Sequence, residues 1–236
     1  MLIIPAFHEE ERLSDVLRGV AAAAPDFEVV VVDDGSGDAT AAVARRGGAT
    51  VIRHPFNLGY GAALQTGYKY ARRMSADLVV QMDADGQHDA ADIPALAAAI
   101  ESDELDLVIG SRFLGVGDYQ MDVLRRTGRA VLQALIRAFG LRISDPTSGF
   151  QALGRRVLDL YVRDSFPSDY PDVDVLLVAH RHGLRIGEHA VAMAKSERES
   201  TLHGGLAPVY YAYKMLLSLW AASSHPRSGA TREGTR

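Results

Sequence analysis

Short apolar runs alternate with helical patterns along the first half of the chain. Leu2–Pro5 is a strand pattern that stops at a proline, and Glu9–Ala24 follows with Leu13, Val16, Leu17 and Val20 at helical spacing. The acids Glu9, Glu10 and Glu11 open that helix, where they favour its positive end. Phe27–Val32 is a β-branched strand, after which "DDGSGDATAAVARRGG" turns into a helix with Ser36 or Asp38 as N-cap and Gly47-Gly48 as its close. Thr50–Arg53, Asp77–Met82 and Leu105–Gly110 read as the next strands, separated by helices over Gly59–Arg73 and Ala91–Glu101. Strands that are apolar throughout, in a βαβα rhythm, predict an α/β fold. Its central sheet is mostly parallel, with helices on both faces.

The second half is less regular. Val123–Phe139 is an amphipathic helix pattern carrying Arg125, Arg126, Arg129 and Arg137. "SDPTSGFQAL" reads as a loop of turn-formers leading into a helix, Val173–His182 as helical, and Leu184–Met193 as strand-like. No internal repeat and no linker divides the chain, so residues 1–222 read as one domain.

Open parallel sheets place ligands at the carboxyl ends of their strands. Phe7, His8 and Glu9 follow the first strand, Asp33 and Asp34 the second, the "DADGQHD" acids the fourth, and Ser111 and Arg112 the fifth. Four polar clusters therefore converge on one sheet edge. In "VVQMDADGQHD" an apolar strand runs straight into Asp83, Asp85 and Asp89. Like charges so close repel unless a cation sits among them. Oxygen ligands at the spacing of Asp83, Asp85 and Gln87 suit Mg²⁺ or Mn²⁺, hard ions that share substrate phosphate oxygens. A lone Asp-x-Asp more often caps a helix or a turn, and its place after a buried strand is what favours metal here. His88 reads as a hydrogen-bonding neighbour and Asp89 as a helix lead-in. Asp33 and Asp34 stand where a ribose or base edge binds, whereas Gly35 and Ser36 read as turn. "HPFNLGYGAALQTG" offers Gly59, Gly61 and Gly67 but is neither a dinucleotide fingerprint nor a P-loop; close helix packing explains at least some of these glycines.

Composition narrows the function classes. With 236 residues, 47% hydrophobic content and a net charge of −5, the chain fills a sizeable core and shows no basic stripe of the kind a nucleic-acid binder needs. The absence of cysteine excludes disulfides, thiolate catalysis and cysteine zinc sites, and fits a reducing, cytoplasmic setting. The start "MLIIPAFHEEER" carries no signal-peptide pattern. Residues 206–222, "LAPVYYAYKMLLSLWAA", are of marginal spanning length and interrupted by Lys214. Tyr210, Tyr211, Tyr213 and Trp220 suit an interfacial helix at the cytoplasmic face of a membrane; a final helix packed on the core, or on a second subunit in a homo-oligomer, is the alternative. Residues 223–236 are polar without an apolar face and read as a disordered tail.

Taken in order, "IIPAFHEEERL", "VVVVDDGSGDAT", "NLGYGAALQTGYKYA", "VVQMDADGQHD", "IGSRF" and "DPTSGFQAL" resemble the successive signatures of family 2 glycosyltransferases of the GT-A fold. They are most similar to the polyprenol-phosphate sugar transferases of the dolichyl-phosphate mannose synthase type. The resemblance covers residues 1 to about 155 and weakens after them. It implies inverting transfer of a sugar from a nucleotide-diphosphate donor, with residues 1–112 as the donor half and 113–205 as the acceptor half. Carried over by position, Pro5, Phe7 and Glu9 line the nucleoside pocket, with Asp33 or Asp34 at the base or ribose. Asp83 lies at the sugar or ribose, and Asp85 with Gln87 holds the divalent ion. Arg112 is implied at a donor or acceptor phosphate, its alternative being a surface ion pair. Asp145, Ser148 and Gly149 resemble the segment that closes over the acceptor.

A lipid-phosphate acceptor arrives ionised, whereas a hydroxyl acceptor needs a base. Asp145, Asp172 and Asp174 are the candidates for that base, with Asp174 favoured over its reading as a helix N-terminal acid. Lys195, Arg198 and Ser200 in "AKSERESTLHGG" match the family's phosphate-binding segment only loosely. Any lipid contact is then peripheral or made through a membrane partner protein. A sugar-nucleotide nucleotidyltransferase would carry a Gly-rich basic N-terminus, and this one is acidic. An Asp-x-Asp phosphatase would place that motif near the chain start. A degenerate binding protein is disfavoured by intact Asp83, Asp85 and Gln87.

Overall fold

The computed structural model describes residues 1–114, 130, 132–134, 136–169 and 171–194. Seven strands form one sheet: β1 (Leu2–Ala6), β2 (Val29–Asp33), β3 (Thr50–Arg53), β4 (Leu78–Gln81), β5 (Leu107–Ser111), β6 (Gln151–Gly154) and β7 (Ile186–Ala190), in the order β3-β2-β1-β4-β6-β5-β7. β1 runs parallel to β2 and β4, β2 to β3, and β5 to β7, while β6 is antiparallel to both β4 and β5. The helices are α1 (Leu13–Ala23), α2 (Thr40–Arg46), α3 (Tyr60–Arg73), α4 (Ile93–Ser102), α5 (Arg155–Tyr161) and α6 (Val173–Arg181). Of the amphipathic pattern at 123–139, residues 130, 132–134 and 136–138 are helical, and the remainder up to 135 lies outside the described residues.

The centre of the sheet is buried on both faces because β1, β2, β4 and β5 are apolar at consecutive positions, which alternate between two cores. The edge strands β3 and β7 are only partly buried. Leu2, Ile4, Val80, Val108 and Ala152 point to the side covered by α1, α2 and α4. Ile3, Val79, Leu107, Ile109 and Leu153 point to the side covered by α3, α5 and α6. Glycine permits the closest approach: a Cβ on Gly67 of α3 would lie 2.5 Å from Ile3 Cγ2 on β1. Gly61 serves a different contact, since its Cβ would meet Pro167 O at 2.2 Å. The Gly61 and Ala62 N–H groups donate to Asp169 O (2.9 Å) and Ser168 O (2.8 Å), so the start of α3 is sewn to the 167–169 segment.

Two expectations are corrected. The stretch read as a loop leading into a helix contains β6, the strand between β4 and β5. Its run, "QALG", has no β-branched or aromatic residue, and α5 begins at the next residue. The N-cap expectation is the other: Ala39 holds that position on α2 and offers no side-chain cap. Asp38, one residue earlier, accepts the Thr40 N–H at 3.0 Å through Oδ1, and Ser36 Oγ accepts the N–H of His8 at 3.0 Å. Among the described residues no helix is long and apolar enough to cross a membrane. Residues 206–222 and the tail at 223–236 lie outside them.

Candidate active site

A cavity of about 360 Å³ opens at the carboxyl ends of β1, β2 and β4. Pro5, Phe7 and Glu9 line it from the end of β1, Asp34 from β2, and Asp83 and Asp85 from β4. Asn57, Gly59, Tyr60 and Asp169 complete the wall. The residues around Phe7 are shaped by an unusual turn: His8 adopts φ +56°, a left-handed conformation that histidine enters more readily than most residues. The turn is closed by the Gly37 N–H, which donates to His8 Nε2 at 3.0 Å, and the Phe7 and His8 rings stack 4.1 Å apart.

Asp83 is held on several sides. Tyr60 Oη donates to its Oδ1 at 2.8 Å, and its own N–H donates to His88 Nδ1 at 3.0 Å. Burial and the neighbouring Asp85 charge raise the Asp83 pKa against the opposing pull of His88, Tyr60 and Arg112. Burial lowers the His88 pKa against the pull of the Asp83 and Asp85 carboxylates, and the ring stacks on Phe150 with centroids 4.9 Å apart. Because Nδ1 accepts, the neutral ring carries its hydrogen on Nε2, which faces Asp83 Oδ2 at 3.8 Å. Asp85 Oδ1 accepts the Gln87 N–H at 3.0 Å, and Gln87 Nε2 donates to Asp85 Oδ2. Among the described residues no three His, Cys, Asp or Glu side chains converge as a closed metal cage. The donor set fits an ion of the Mg²⁺ or Mn²⁺ type, which takes one or two carboxylates and completes its shell with water and phosphate oxygens. The repulsion between Asp83 and Asp85 is the charge such an ion offsets.

The two acids after β2 are engaged differently. Asp33 is fully buried; its Oδ1 accepts the Ser36 N–H at 3.0 Å and its Oδ2 lies 3.0 Å from Arg53 Nε. Asp34 reaches the cavity wall, yet both its oxygens are occupied. Oδ1 meets His54 Nδ1 (2.7 Å) and the Leu58 N–H (2.9 Å), and Oδ2 accepts the Gly59 N–H (2.9 Å). His54 Nε2 continues to Thr66 Oγ1 at 2.9 Å. Asp34 thus fixes the 54–59 loop that carries Asn57 and Gly59 to the cavity.

On the other side of the sheet edge, Arg112 Nε and Nη2 grip Asp145 at 2.7 and 2.8 Å, and the Arg112 N–H adds a third bond at 3.1 Å. Asp145 is 1% exposed. Ser148 turns its hydroxyl to the Phe150 N–H at 3.3 Å, and Gly149 presses on Asp83, where a Cβ would lie 2.7 Å from Oδ2. Asp174 sits in the first turn of α6, its Oδ1 accepting the N–H groups of Asp172 (3.0 Å) and Val175 (2.9 Å). The structure therefore joins Pro5, Phe7, Glu9, Asp34, Asp83 and Asp85 in one cavity and brings Gly149 against it. Asp33 and Asp174 are tied into the surrounding frame. Lys195, Arg198 and Ser200 lie outside the described residues. Tyr60, Asn57, Asp169 and Glu188 were absent from the residues that the sequence singled out. Tyr60 and Asn57 lie inside a motif that was read for its glycines.

The comparisons with known proteins agree with this layout. The family model for glycosyl transferase family 2 matches residues 1–160. The chain is 32% identical over 170 residues to polyprenol monophosphomannose synthase of Mycolicibacterium smegmatis, covering 67% of this chain and 63% of that protein. It is 30% identical to undecaprenyl-phosphate mannosyltransferase of Micrococcus luteus, covering 87% and 88%. Among solved structures, glucosyl-3-phosphoglycerate synthase of Mycobacterium tuberculosis with Mn²⁺, uridine-diphosphate-glucose and phosphoglyceric acid superposes with a TM-score of 0.72. That match is 25% identical and covers 97% of this chain and 80% of that one. The sheet is the GT-A arrangement, and the chain belongs to glycosyl transferase family 2.

Proposed function

We propose that this protein is an inverting glycosyltransferase that moves a hexose from a nucleoside-diphosphate sugar to a polyprenyl phosphate. The observation that carries the reading is the placement of Asp83 and Asp85 at the end of β4. There they form the floor of a cavity whose other wall is built from the ends of β1 and β2. Phe7 and Glu9 present a ring and a carboxylate for the nucleoside. A divalent ion bound at Asp85, with Gln87 beside it, supplies Lewis-acid compensation for charge on the leaving diphosphate. Asp83, steadied by the Tyr60 hydroxyl, is placed to orient the sugar. The acceptor oxygen attacks the anomeric carbon opposite the diphosphate, one C–O bond forms as the other breaks, and the configuration inverts.

The phosphate acceptor is supported by the names of the relatives and by the state of two of the three candidate bases. Asp145 is taken up by Arg112, and Asp174 Oδ1 by two backbone N–H groups, so neither is poised to take a proton from a hydroxyl. An ionised phosphate oxygen needs no such base. The complex of the solved relative with phosphoglyceric acid favours a second reading, transfer to the hydroxyl of a small phosphorylated acid.

Titration calorimetry with UDP and GDP, with and without Mn²⁺, tests the donor half. Metal-dependent binding that disappears in Asp85→Ala is the expected result, and nucleotide binding that ignores both changes removes Asp85 from the site. Transfer of radiolabelled sugar to undecaprenyl phosphate, run beside 3-phosphoglycerate, decides between the acceptors.

A further inference from the structure

Glu188 belongs to none of the motifs above, yet its carboxylate accepts three hydrogen bonds from the turn that carries Asp145. It lies on β7, in register with Ile109 of β5, two residues before the end of the strand. From there its side chain reaches across to the turn that precedes β6. Oε2 accepts the Ser144 N–H at 2.8 Å, and Oε1 accepts the Ser144 hydroxyl (2.8 Å) and the Asp145 N–H (2.9 Å). Asp145 in turn is the residue that grips the Arg112 guanidinium through both its oxygens.

The chemistry of the contacts makes the residue type specific. A carboxylate offers acceptors at both oxygens and no donor, and here each oxygen faces at least one backbone N–H. The Ser144 hydroxyl must therefore donate to Glu188, which leaves its oxygen to accept from the Ser111 hydroxyl 2.7 Å away. Ser111 Oγ in turn accepts the Phe113 N–H at 3.2 Å. One carboxylate thus sets the direction of a hydrogen-bond chain that spans the segments on both sides of Arg112. Gln133 Nε2 closes the same turn from outside by donating to Ser144 O at 2.6 Å.

We propose that Glu188 is a positioning residue for acceptor recognition: it sets the Ser144–Asp145 turn and, through Asp145, the orientation of the Arg112 guanidinium toward an anionic acceptor. The consequence for the acceptor rests on the transferase reading; the coupling from Glu188 to Arg112 does not. Glutamine has the same shape but must turn an NH₂ toward either the Ser144 N–H or the Asp145 N–H. Donor then faces donor, and the turn is released. Arg112 is not among the residues lining the nucleoside cavity, which is built from the ends of β1, β2 and β4, so on this proposal the change falls on the acceptor.

The test uses the full chain as wild type, Glu188→Gln, Asp145→Asn and the double variant. Initial rates are measured against polyprenyl phosphate, and Mn²⁺-dependent UDP or GDP binding is measured by calorimetry. Glu188→Gln is expected to raise the acceptor KM about tenfold, the scale of losing hydrogen bonds to a charged group, while the nucleotide affinity stays within about twofold. Because Glu188 acts through Asp145, the double variant should be no worse than Asp145→Asn alone. An acceptor KM at the wild-type value in Glu188→Gln, effects that multiply in the double variant, or parallel loss of nucleotide binding and thermal stability would each overturn the proposal. Ser144→Ala, which deletes the hydroxyl contacts to Glu188 and Ser111 but leaves both backbone N–H bonds to Glu188, should shift the acceptor KM in the same direction by a smaller factor; no shift counts against the proposal.

Should the wild-type protein transfer to no polyprenyl phosphate, the proposed function fails at its acceptor while Glu188 remains testable. Amide hydrogen exchange at Ser144 and Asp145 should then accelerate at least tenfold in Glu188→Gln and not at Leu58 or Gly59. Unchanged exchange at Ser144 and Asp145 sinks the coupling itself.

Discussion

Gly149→Ala is the substitution whose effect follows most directly from the coordinates. The Gly149 backbone is not left-handed, so alanine meets no conformational penalty there, and the outcome depends on space alone. The new Cβ would lie 2.7 Å from Asp83 Oδ2, 3.0 Å from Tyr60 Oη and 3.2 Å from Asp83 Oδ1. Restoring ordinary contact at 3.4 Å requires about 0.7 Å of movement. The loop is poorly placed to retreat, because the Gly149 carbonyl accepts Gln81 Nε2 at 3.0 Å and Gln81 Oε1 is itself held by the Tyr68 hydroxyl. The Asp83 carboxylate therefore gives way, stretching its bond to Tyr60.

A displacement approaching 1 Å of a group that orients substrate costs on the order of 100-fold in rate. Overpacking costs about 1–3 kcal/mol of stability, opposed by the roughly 0.4–1 kcal/mol that alanine gains over glycine through the unfolded chain. We expect kcat to fall roughly 30- to 100-fold with a net destabilisation of about 1–2 kcal/mol. Sugar-transfer kinetics and urea unfolding of the same preparations measure both. A variant with wild-type kcat and an unchanged or raised unfolding midpoint would refute the reasoning, since it would mean that Asp83 is not confined by this backbone.

Other positions give simpler expectations. Tyr60→Phe removes the hydroxyl that donates to Asp83 at 2.8 Å while keeping the ring; kcat should fall about tenfold with metal-dependent nucleotide binding retained, and an unaltered kcat would take Tyr60 out of the site. Asp34→Asn replaces an acceptor that serves two backbone N–H groups and His54, so it should cost about 2 kcal/mol in urea unfolding; a wild-type midpoint would show that the 54–59 loop holds itself. His8→Ala deletes the acceptor for the Gly37 N–H and the stack under Phe7. It should weaken nucleotide binding by several-fold in calorimetry, and unchanged affinity would separate Phe7 from the nucleoside.

The parallel half of the fold was legible because buried strands announce themselves as apolar runs and end at polar clusters. Pro5, Phe7, Asp34, Asp83 and Asp85 could be placed on one edge before any coordinates, since strand ends in a parallel sheet share that edge by construction. β6 was not legible: "QALG" has no β-branched or aromatic residue to mark a strand, and Arg155 continues at once into a helix. Glu188 was hidden for a different reason. A single glutamate within "IGEHA" looks like the wet face of an edge strand, and its partners Ser144 and Asp145 are more than forty positions away in the chain. The occupied state of Asp34 was equally invisible, because it depends on a loop from after β3 folding back over β2. Sequence pattern locates the edge on which chemistry is assembled. It does not say which carboxylates face the substrate and which support the frame.

The seam between α3 and residues 167–169 bears on how relatives of this protein can be recombined. Gly59 and Gly61 touch Ser168 O and Pro167 O so closely that a methyl group on either glycine would lie 2.6 or 2.2 Å away, and the Gly61 and Ala62 amides are bonded across the same line. Tyr60, which steadies Asp83, sits between those glycines. A chimera spliced near residue 112, exchanging an amino-terminal donor portion for that of another family member, would inherit one bank of this seam and meet a foreign partner on the other. Donor exchange by grafting should therefore succeed only when residues 59–62 and 167–169 travel together.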